Sequence, residues 1–301
     1  WMTFVSMVSP HFPMKAPQEF YDMYPVDEIP MPKMHPAREG ERHPWVDAFR
    51  NCIDSDYYFD DEKRRIAIAS YFGLCTFLDH NIGLVLDSLE KSGQADNTRI
   101  VYVSDHGENL GARGTWGKGT MYEESAAIPL ILSGPDVPEG KVVSTPVSLA
   151  DFYPTILEAV GVELDDYDTS LPGESLYGFV QGPDNPDRVV FSEYHAAGAD
   201  TGSFMIRRGK FKFNYYVNYE PELFDLEADP EELNNLSSSP EHQATLKEME
   251  AELREILDPE EVDQQAKADQ AALVERHGGR DAIMNQPAGA TPTPERASGN
   301  N

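Results

Sequence analysis

The stretch Arg99-Ile-Val-Tyr-Val-Ser-Asp-His-Gly107 contains a short β-branched run that stops at a glycine. A run of this kind predicts a buried strand. Asp105 and His106 would then follow the carboxyl end of that strand directly. In open α/β sheets ligands bind at this edge, because the loops there diverge and leave a crevice. The stretch therefore predicts a strand of the sheet and a functional site at the carboxyl end of that strand.

Further predicted elements lie on both sides of this stretch. In chain order they are a strand over residues 1–9, a helix over 63–91, a strand over 128–132 and a helix over 148–160. The opening run is apolar throughout and breaks at Pro10, which predicts a fully buried strand with His11 just beyond its end. Strands that alternate with helices predict an α/β fold with a central, mostly parallel sheet flanked by helices.

The pattern changes after about Pro172. Short strands at close spacing are predicted over residues 189–194, 203–207, 210–216 and 222–226. They indicate a small α+β subdomain with an antiparallel sheet, and a helix over 240–257 is expected to pack on it. That helix has Ser239 as its predicted N-cap, and its predicted buried stripe is Leu246, Met249, Leu253 and Ile256. We therefore predict an α/β domain over 1–180, the subdomain over 181–260 and an extended or disordered tail over 261–301.

Charge and composition exclude several classes of function. The 301 residues carry 53 Asp+Glu against 24 Lys+Arg, a formal net charge of −29. Such a chain is not expected to bind nucleic acid or an anionic membrane surface, since both require basic residues. The sequence contains no Walker loop, no G-x-S-x-G, no C-x-x-C and no H-E-x-x-H. Because it begins at Trp1 within an apolar run, we read it as a piece of a longer protein, cytoplasmic or periplasmic.

Four residues are candidates for a functional site: His11, Asp105, His106 and Lys118. A carboxylate and an imidazole in adjacent positions can reach one divalent cation once the strand has ended. Each candidate also has an ordinary interpretation: Asp105 to Gly107 as a turn, His11 as a histidine satisfied by backbone, and Lys118 as an exposed lysine. Local sequence alone leaves these interpretations open. Glu193, Tyr194 and His195, after another predicted strand, could line a pocket or serve the subdomain.

Five motifs along the chain belong together: Val8-Ser-Pro-His-Phe-Pro13, Ser104-Asp-His-Gly-Glu108, Trp116-Gly-Lys118, Val147-Ser-Leu-Ala-Asp-Phe-Tyr-Pro-Thr-Ile-Leu157 and Leu223-Phe-Asp-Leu-Glu-Ala-Asp-Pro-Glu-Glu-Leu-Asn-Asn-Leu236. They resemble motifs of the sulfatases of the alkaline phosphatase superfamily. The resemblance runs in order from residue 1 to about residue 257. Residues 266–282 are most similar to choline-sulfatases and phosphonate monoesterases.

The resemblance implies an alkaline-phosphatase-like fold and a metal-dependent hydrolysis of small anionic sulfate esters. It makes Asp105 and His106 metal ligands, while His11 and Lys118 bind the sulfate group or its leaving oxygen. The implied metal is Ca²⁺, and Mn²⁺ is a second possibility. His106 stands where many arylsulfatases have asparagine, and an imidazole is a better ligand for Mn²⁺ than for Ca²⁺. The same histidine occurs in phosphonate monoesterases.

Two features of the family pattern are absent from the sequence. The nucleophile motif C/S-x-P-S-x-R does not occur, and no pair of aspartates follows a buried strand. The chain therefore resembles the C-terminal half of a sulfatase, and we expect it to be inactive as given. Two alternatives stay open: a phosphonate monoester or phosphodiester hydrolase on the same scaffold, and a non-catalytic remnant with a binding or assembly role. We also expect that the tail could exchange between subunits of a homo-oligomer.

Overall fold

The computed structural model describes residues 1–36, 41–52 and 56–285. In chain order the elements are α1 (Gln18–Tyr21), α2 (Pro44–Cys52), α3 (Asp61–Lys91), β1 (Ile100–Val103), α4 (Glu123–Ala126), β2 (Leu130–Ser133), α5 (Phe152–Val160), α6 (Leu176–Gln181), β3 (Val189–Tyr194), β4 (Ser203–Arg208), β5 (Phe211–Tyr216), β6 (Glu222–Asp225), α7 (Gln243–Ile256), α8 (Pro259–Arg276) and α9 (Arg280–Met284). Among the helices within these ranges, none combines the length and the apolar character that crossing a bilayer requires.

The long helix α3 confirms the helix predicted over residues 63–91. It begins after Asp60, whose side chain caps the first turn by accepting a hydrogen bond from the Lys63 backbone N–H. Its buried face includes Ile68, which shares a hydrophobic cluster with Trp116 of the glycine-rich stretch, residues 107–119. The helix therefore supports the stretch that leads to Lys118.

The strand predicted over residues 1–9 is wrong, because residues 1–8 contain no regular secondary structure. Trp1, Phe4 and Val8 are about four-fifths exposed. A strand is stable only when a neighbouring strand pairs with its backbone and a covering layer buries its side chains. Within the described residues no strand pairs with this segment, and residues 5–9 instead lie along α3, beside Phe77 and Val85.

The mostly parallel central sheet is not found among the described residues, where both sheets are antiparallel. Strands β1 and β2 pair antiparallel, with Ile100 opposite Ser133 and Val103 opposite Leu130. A parallel pair requires a crossover connection, usually a helix that traverses the sheet. The chain between β1 and β2 has only the one-turn helix α4 and short turns, so it returns alongside β1 in the opposite direction.

The antiparallel sheet of the predicted subdomain is confirmed, with strand order β3-β4-β5-β6. Helix α7 covers it, and the side chains of Met249 and Leu253 are fully buried in one cluster with Phe204 and Phe213. The prediction for Ile256 is wrong, since its side chain is 48% exposed in the last turn of α7. Ser239, the predicted N-cap, makes no side-chain capping bond there.

The expectation of an extended or disordered tail is wrong for residues 261–276 and 280–284, which lie in α8 and α9. Asp258 caps α8 through hydrogen bonds from the backbone N–H groups of Glu260 and Glu261. The buried side chain of Asp263 accepts a hydrogen bond from Gly202, 2.7 Å away. Polar anchors therefore hold this helix, and an apolar periodicity could not reveal it. Residues 286–301 of the expected tail lie outside the described residues.

Candidate functional site

The structure brings all four predicted site residues together. Lys118 Nζ lies 2.8 Å from His11 Nε2, although the two residues are 107 positions apart in the chain. The ring centroids of His11 and His106 are 6.1 Å apart. His106 Nε2 in turn lies 3.6 Å from Asp105 Oδ2. The side chains form one continuous group of two imidazoles, an ammonium and a carboxylate, which we call the four-residue cleft.

His11 is held in an orientation that directs one nitrogen at Lys118. The peptide N–H of His11 donates to the carbonyl of Val8, which closes a turn, and its Nδ1 lies 2.8 Å from the Phe12 carbonyl oxygen. A neutral imidazole donates from one nitrogen and accepts at the other. We assign the Nδ1 proton to the bond with Phe12, so that Nε2 accepts from the Lys118 ammonium.

His106 and Asp105 present the donor set of a partial cation site. His106 Nδ1 lies 2.8 Å from the Gly107 carbonyl oxygen, and a proton donated there leaves Nε2 free to bind a cation. Asp105 Oδ1 accepts from the His106 N–H, while most of the Asp105 side chain is exposed. The 3.6 Å between Asp105 Oδ2 and His106 Nε2 suits two bonds of roughly 2.0–2.6 Å to one ion.

The pair supplies only two ligands. Across residues 1–36, 41–52 and 56–285, no group of three or more His, Cys, Asp or Glu side chains could hold a metal ion. An imidazole and a carboxylate are donor types that divalent cations accept, and two of them would fill only part of the shell that Ca²⁺ or Mn²⁺ takes.

Gly107 lets the segment after the Asp105–His106 pair pack closely against α4. Its N–H donates to the Ser125 carbonyl at 2.9 Å, and a Cβ at position 107 would lie 2.1 Å from the Glu124 carbonyl oxygen. Any larger residue would push the segment after His106 away from α4. The hydroxyl of Ser104 donates to the His106 carbonyl and holds the other side of the turn.

Glu108 is a functional candidate that sequence reasoning missed. Its Oε1 accepts hydrogen bonds from the backbone N–H of Gly117 at 2.6 Å and of Leu110 at 3.1 Å. Gly117 directly precedes Lys118. The only signal in the sequence was a glutamate inside a glycine-rich stretch, and its distance from Gly117 along the chain does not reveal the contact.

A layer of buried charges supports the cleft from the side of the antiparallel sheet. Arg113 and Lys33 both pair with Glu124 of α4. Burial acts to raise the pKa of the Glu124 carboxyl, but Arg113 and Lys33 outweigh it and hold that pKa below its ordinary value. The fully buried Lys212 of β5 lies 2.8 Å from carboxylate oxygens of both Glu123 and Glu232. The packing behind Gly107 is therefore anchored to the sheet.

The hydrogen bonds of residues 193–195 go to residues outside the four-residue cleft. His195 Nε2 lies 3.4 Å from Glu193 Oε2, and the Tyr194 hydroxyl donates to the Ala197 carbonyl. The His195 carbonyl accepts from Gln270 of α8. These contacts favour the structural interpretation of the segment.

Comparison with known protein families gives two matches. The sulfatase family model matches residues 1–162, and a model described as the C-terminal region of N-sulphoglucosamine sulphohydrolase matches residues 111–259. The two matches overlap over residues 111–162. Together they span residues 1–259, which include both antiparallel sheets.

Curated relatives include two bacterial sulfatases. The chain is 34% identical to the choline-sulfatase of Rhizobium meliloti over 82% of its own length and 48% of that protein. It is 32% identical to an arylsulfatase of Clostridium perfringens, over 84% of this chain and 52% of the relative. The chain thus spans about half the length of the curated relatives it matches.

Solved structures with the same fold include a phosphonate monoester hydrolase from Silicibacter pomeroyi. It is 30% identical, with a TM-score of 0.71 over 82% of this chain and 53% of that one. A second structure is of the protein BT4656 in complex with its substrate D-glucosamine-2-N,6-O-disulfate, at 32% identity and a TM-score of 0.57. It aligns with 69% of this chain and 42% of that chain. The likeness confirms the expected sulfatase-like α/β fold.

Proposed function

The chain belongs to the sulfatase family, and from that premise we propose that its four-residue cleft binds the sulfate group of a small sulfate ester. The observation that carries the proposal is the 2.8 Å contact between Lys118 Nζ and His11 Nε2, beside the Asp105–His106 pair. In a chain with a net charge of −29, the Lys118 ammonium, together with a cation held by Asp105 and His106, would attract an anion to the cleft.

The chemistry of the cleft suits a reaction in which an oxygen gains negative charge. Cleavage of a sulfate ester leaves charge on the departing alkoxide oxygen, and hydrogen-bond donors fixed near that oxygen lower the barrier. The Lys118 ammonium has three N–H donors, of which His11 takes one, so donors remain for sulfate oxygens. Lys118, or His11 once protonated, can also donate the proton that the alkoxide needs.

We propose that Asp105 and His106 hold a divalent cation next to this anion site. Members of the sulfatase family are in general metal-dependent, and a bound cation would supply further stabilisation of negative charge. Ca²⁺ is our first choice because the exposed carboxylate of Asp105 is a hard oxygen ligand. Mn²⁺ is the second choice because it accepts the imidazole of His106 more readily.

The whole protein is proposed to hydrolyse sulfate esters, whereas the 301 residues are proposed to bind sulfate without turnover. The sequence contains no C/S-x-P-S-x-R motif from which a nucleophile could come. A phosphonate monoester hydrolase is the second candidate, supported by the 30% identity to the Silicibacter pomeroyi enzyme. Assay of the complete enzyme on a matched aryl sulfate and aryl phosphonate would separate the two, since the preferred ester has the higher kcat/KM.

Calorimetric titration of the 301-residue chain with inorganic sulfate, in the presence of Ca²⁺ or Mn²⁺, tests the anion site. Lys118→Ala should weaken sulfate binding by roughly ten- to a hundred-fold, as expected for a hydrogen bond to a charged group of about 1.5–3 kcal/mol. Lys247→Ala is the matched control, because Lys247 is an exposed lysine of α7. Equal affinity of the Lys118→Ala and Lys247→Ala variants would contradict the proposal.

A further inference from the structure

We infer that Glu108 is a positioning residue for the sulfate site, because its carboxylate closes the loop over residues 108–117 and thereby sets Lys118 against His11. This inference rests on the proposed function of the cleft. Glu108 is not among the four site residues predicted from the sequence. Its side chain points back into its own loop.

Three hydrogen bonds meet where the loop closes. Glu108 Oε1 accepts from the Gly117 N–H at 2.6 Å, and the Gly117 carbonyl accepts from the Asn109 N–H at 2.7 Å. Glu108 Oε1 also accepts from the Leu110 N–H at 3.1 Å. Both polar groups of the Gly117 peptide are therefore held by the first residues of the loop. Lys118 is the next residue, so the orientation of Gly117 determines where the Lys118 side chain starts.

The backbone of the loop would not keep this shape unaided. Leu110 and Arg113 both have positive φ, +48° and +53°, a region that costs side-chain-bearing residues about 1 kcal/mol or more each. Gly117 has φ of +76° and open space where a Cβ would be. Such a conformation persists only when surrounding bonds impose it. Of the acceptors in the three closing bonds, the Glu108 carboxylate is the one that takes two N–H groups, and bonds to a carboxylate are the stronger kind.

Within the described residues, the hydrogen bonds of the Glu108 carboxylate go to the backbone of its own loop. Its Oε1 is already engaged by two backbone donors. The contribution of Glu108 to anion binding is therefore indirect, through Gly117 and Lys118.

The test compares Glu108→Ala and Glu108→Gln in the 301-residue chain, with inorganic sulfate as the probe and Glu139→Ala as an exposed control. Glu108→Gln keeps an oxygen acceptor and should bind sulfate within about threefold of the unmodified chain. Glu108→Ala should weaken sulfate binding by about tenfold. Added to Lys118→Ala, it should weaken binding no further, because an effect that acts through Lys118 is not additive with its loss.

Amide hydrogen exchange at Gly117, followed by NMR, is the second measurement. Exchange should be at least about tenfold faster in Glu108→Ala than in Glu139→Ala. If the unmodified chain does not bind sulfate, the proposed function fails, and so does the role of Glu108 in it. If sulfate binding depends on Lys118 but not on Glu108, or if the loss persists in full without Lys118, only the present inference is overturned. Unchanged exchange at Gly117 in Glu108→Ala overturns it as well.

Discussion

At the scale of single residues, Gly107 controls how closely the chain after the Asp105–His106 pair packs on α4. A Cβ there would lie 2.1 Å from the Glu124 carbonyl oxygen, so Gly107→Ala forces the backbone apart. We expect a loss of about 1–3 kcal/mol in the free energy of unfolding, the usual range for overpacking. Gly83→Ala within α3 is the matched control, because its Cβ meets no atom within 4 Å.

Urea unfolding of both glycine variants checks this expectation. Gly83→Ala should stabilise the chain by about 0.5–1 kcal/mol, since alanine is the better helix former. If Gly107→Ala were as stable as the unmodified chain, the close approach between positions 107 and 124 would not exist in solution.

The sequence could predict the residues of the cleft but not the residues that hold them. His11, Asp105, His106 and Lys118 were recognisable because motifs of a known family carry them, and the structure places them together. The Glu108 contact to Gly117 was not recognisable. It depends on how a loop with two strained residues folds back on itself, which no periodicity records.

At the scale of elements, Lys212 of β5 ties the antiparallel sheet to α4. Its ammonium is fully buried between Glu123 and Glu232, and burial raises the pKa of the Glu232 carboxyl. Lys212→Met leaves the Glu232 carboxylate buried without its counter-charge, and we expect a loss of about 3–5 kcal/mol in unfolding free energy. The double variant Lys212→Met, Glu232→Gln should recover part of that loss. Thermal or urea unfolding of Lys212→Met within about 1 kcal/mol of the unmodified chain would refute the role of this pair.

The junction of α7 and α8 should respond to pH through Glu260. A hydrogen bond from Arg254 is the main cause that lowers the Glu260 pKa to about 2, from an ordinary value of 4.5. A carboxyl with a lowered pKa stabilises the fold above its unfolded value and loses that contribution as pH falls. Because the pair is partly exposed, Glu260→Gln should cost less than about 1 kcal/mol at pH 7. Stability curves of the two chains should converge between about pH 4.5 and pH 2; a gap that persists at pH 2 would refute the ionic origin.

The elements themselves were predictable in unequal measure. Helix α3 has a clear apolar periodicity, and the four strands of the antiparallel sheet are short apolar runs at close spacing, so their bounds were close. Residues 1–9 have the composition of a buried strand, but a strand forms only when a neighbouring strand pairs with its backbone. No strand of the described residues pairs with this segment. Helix α8 was missed for the opposite reason, since an Asp258 cap and the buried Asp263 hold it instead of an apolar stripe.

At the scale of the whole molecule, the tail provides a test of assembly. Self-association through residues 265–301 remains a prediction. The first part of α8 contacts its own chain, because the Gly202 N–H donates a hydrogen bond to the Asp263 carboxylate. If two subunits exchange this tail, the full chain is a dimer and the chain without residues 265–301 should be a monomer. The molar mass in solution should then fall to half that of the dimer, less the mass of the deleted residues. Light scattering after size exclusion measures the change, with the loss of only the deleted mass as the contrary result.

The central claim is that one cleft of this sulfatase-family chain binds an oxyanion and a divalent cation side by side. The most direct measurement is a crystal structure of the 301-residue chain grown with Mn²⁺ and sulfate, with the manganese located by anomalous scattering. We predict manganese on Asp105 Oδ2 and His106 Nε2, and a sulfate within hydrogen-bond distance of Lys118 Nζ and His11. Manganese and sulfate at separate places, or neither at these four side chains, would contradict the account.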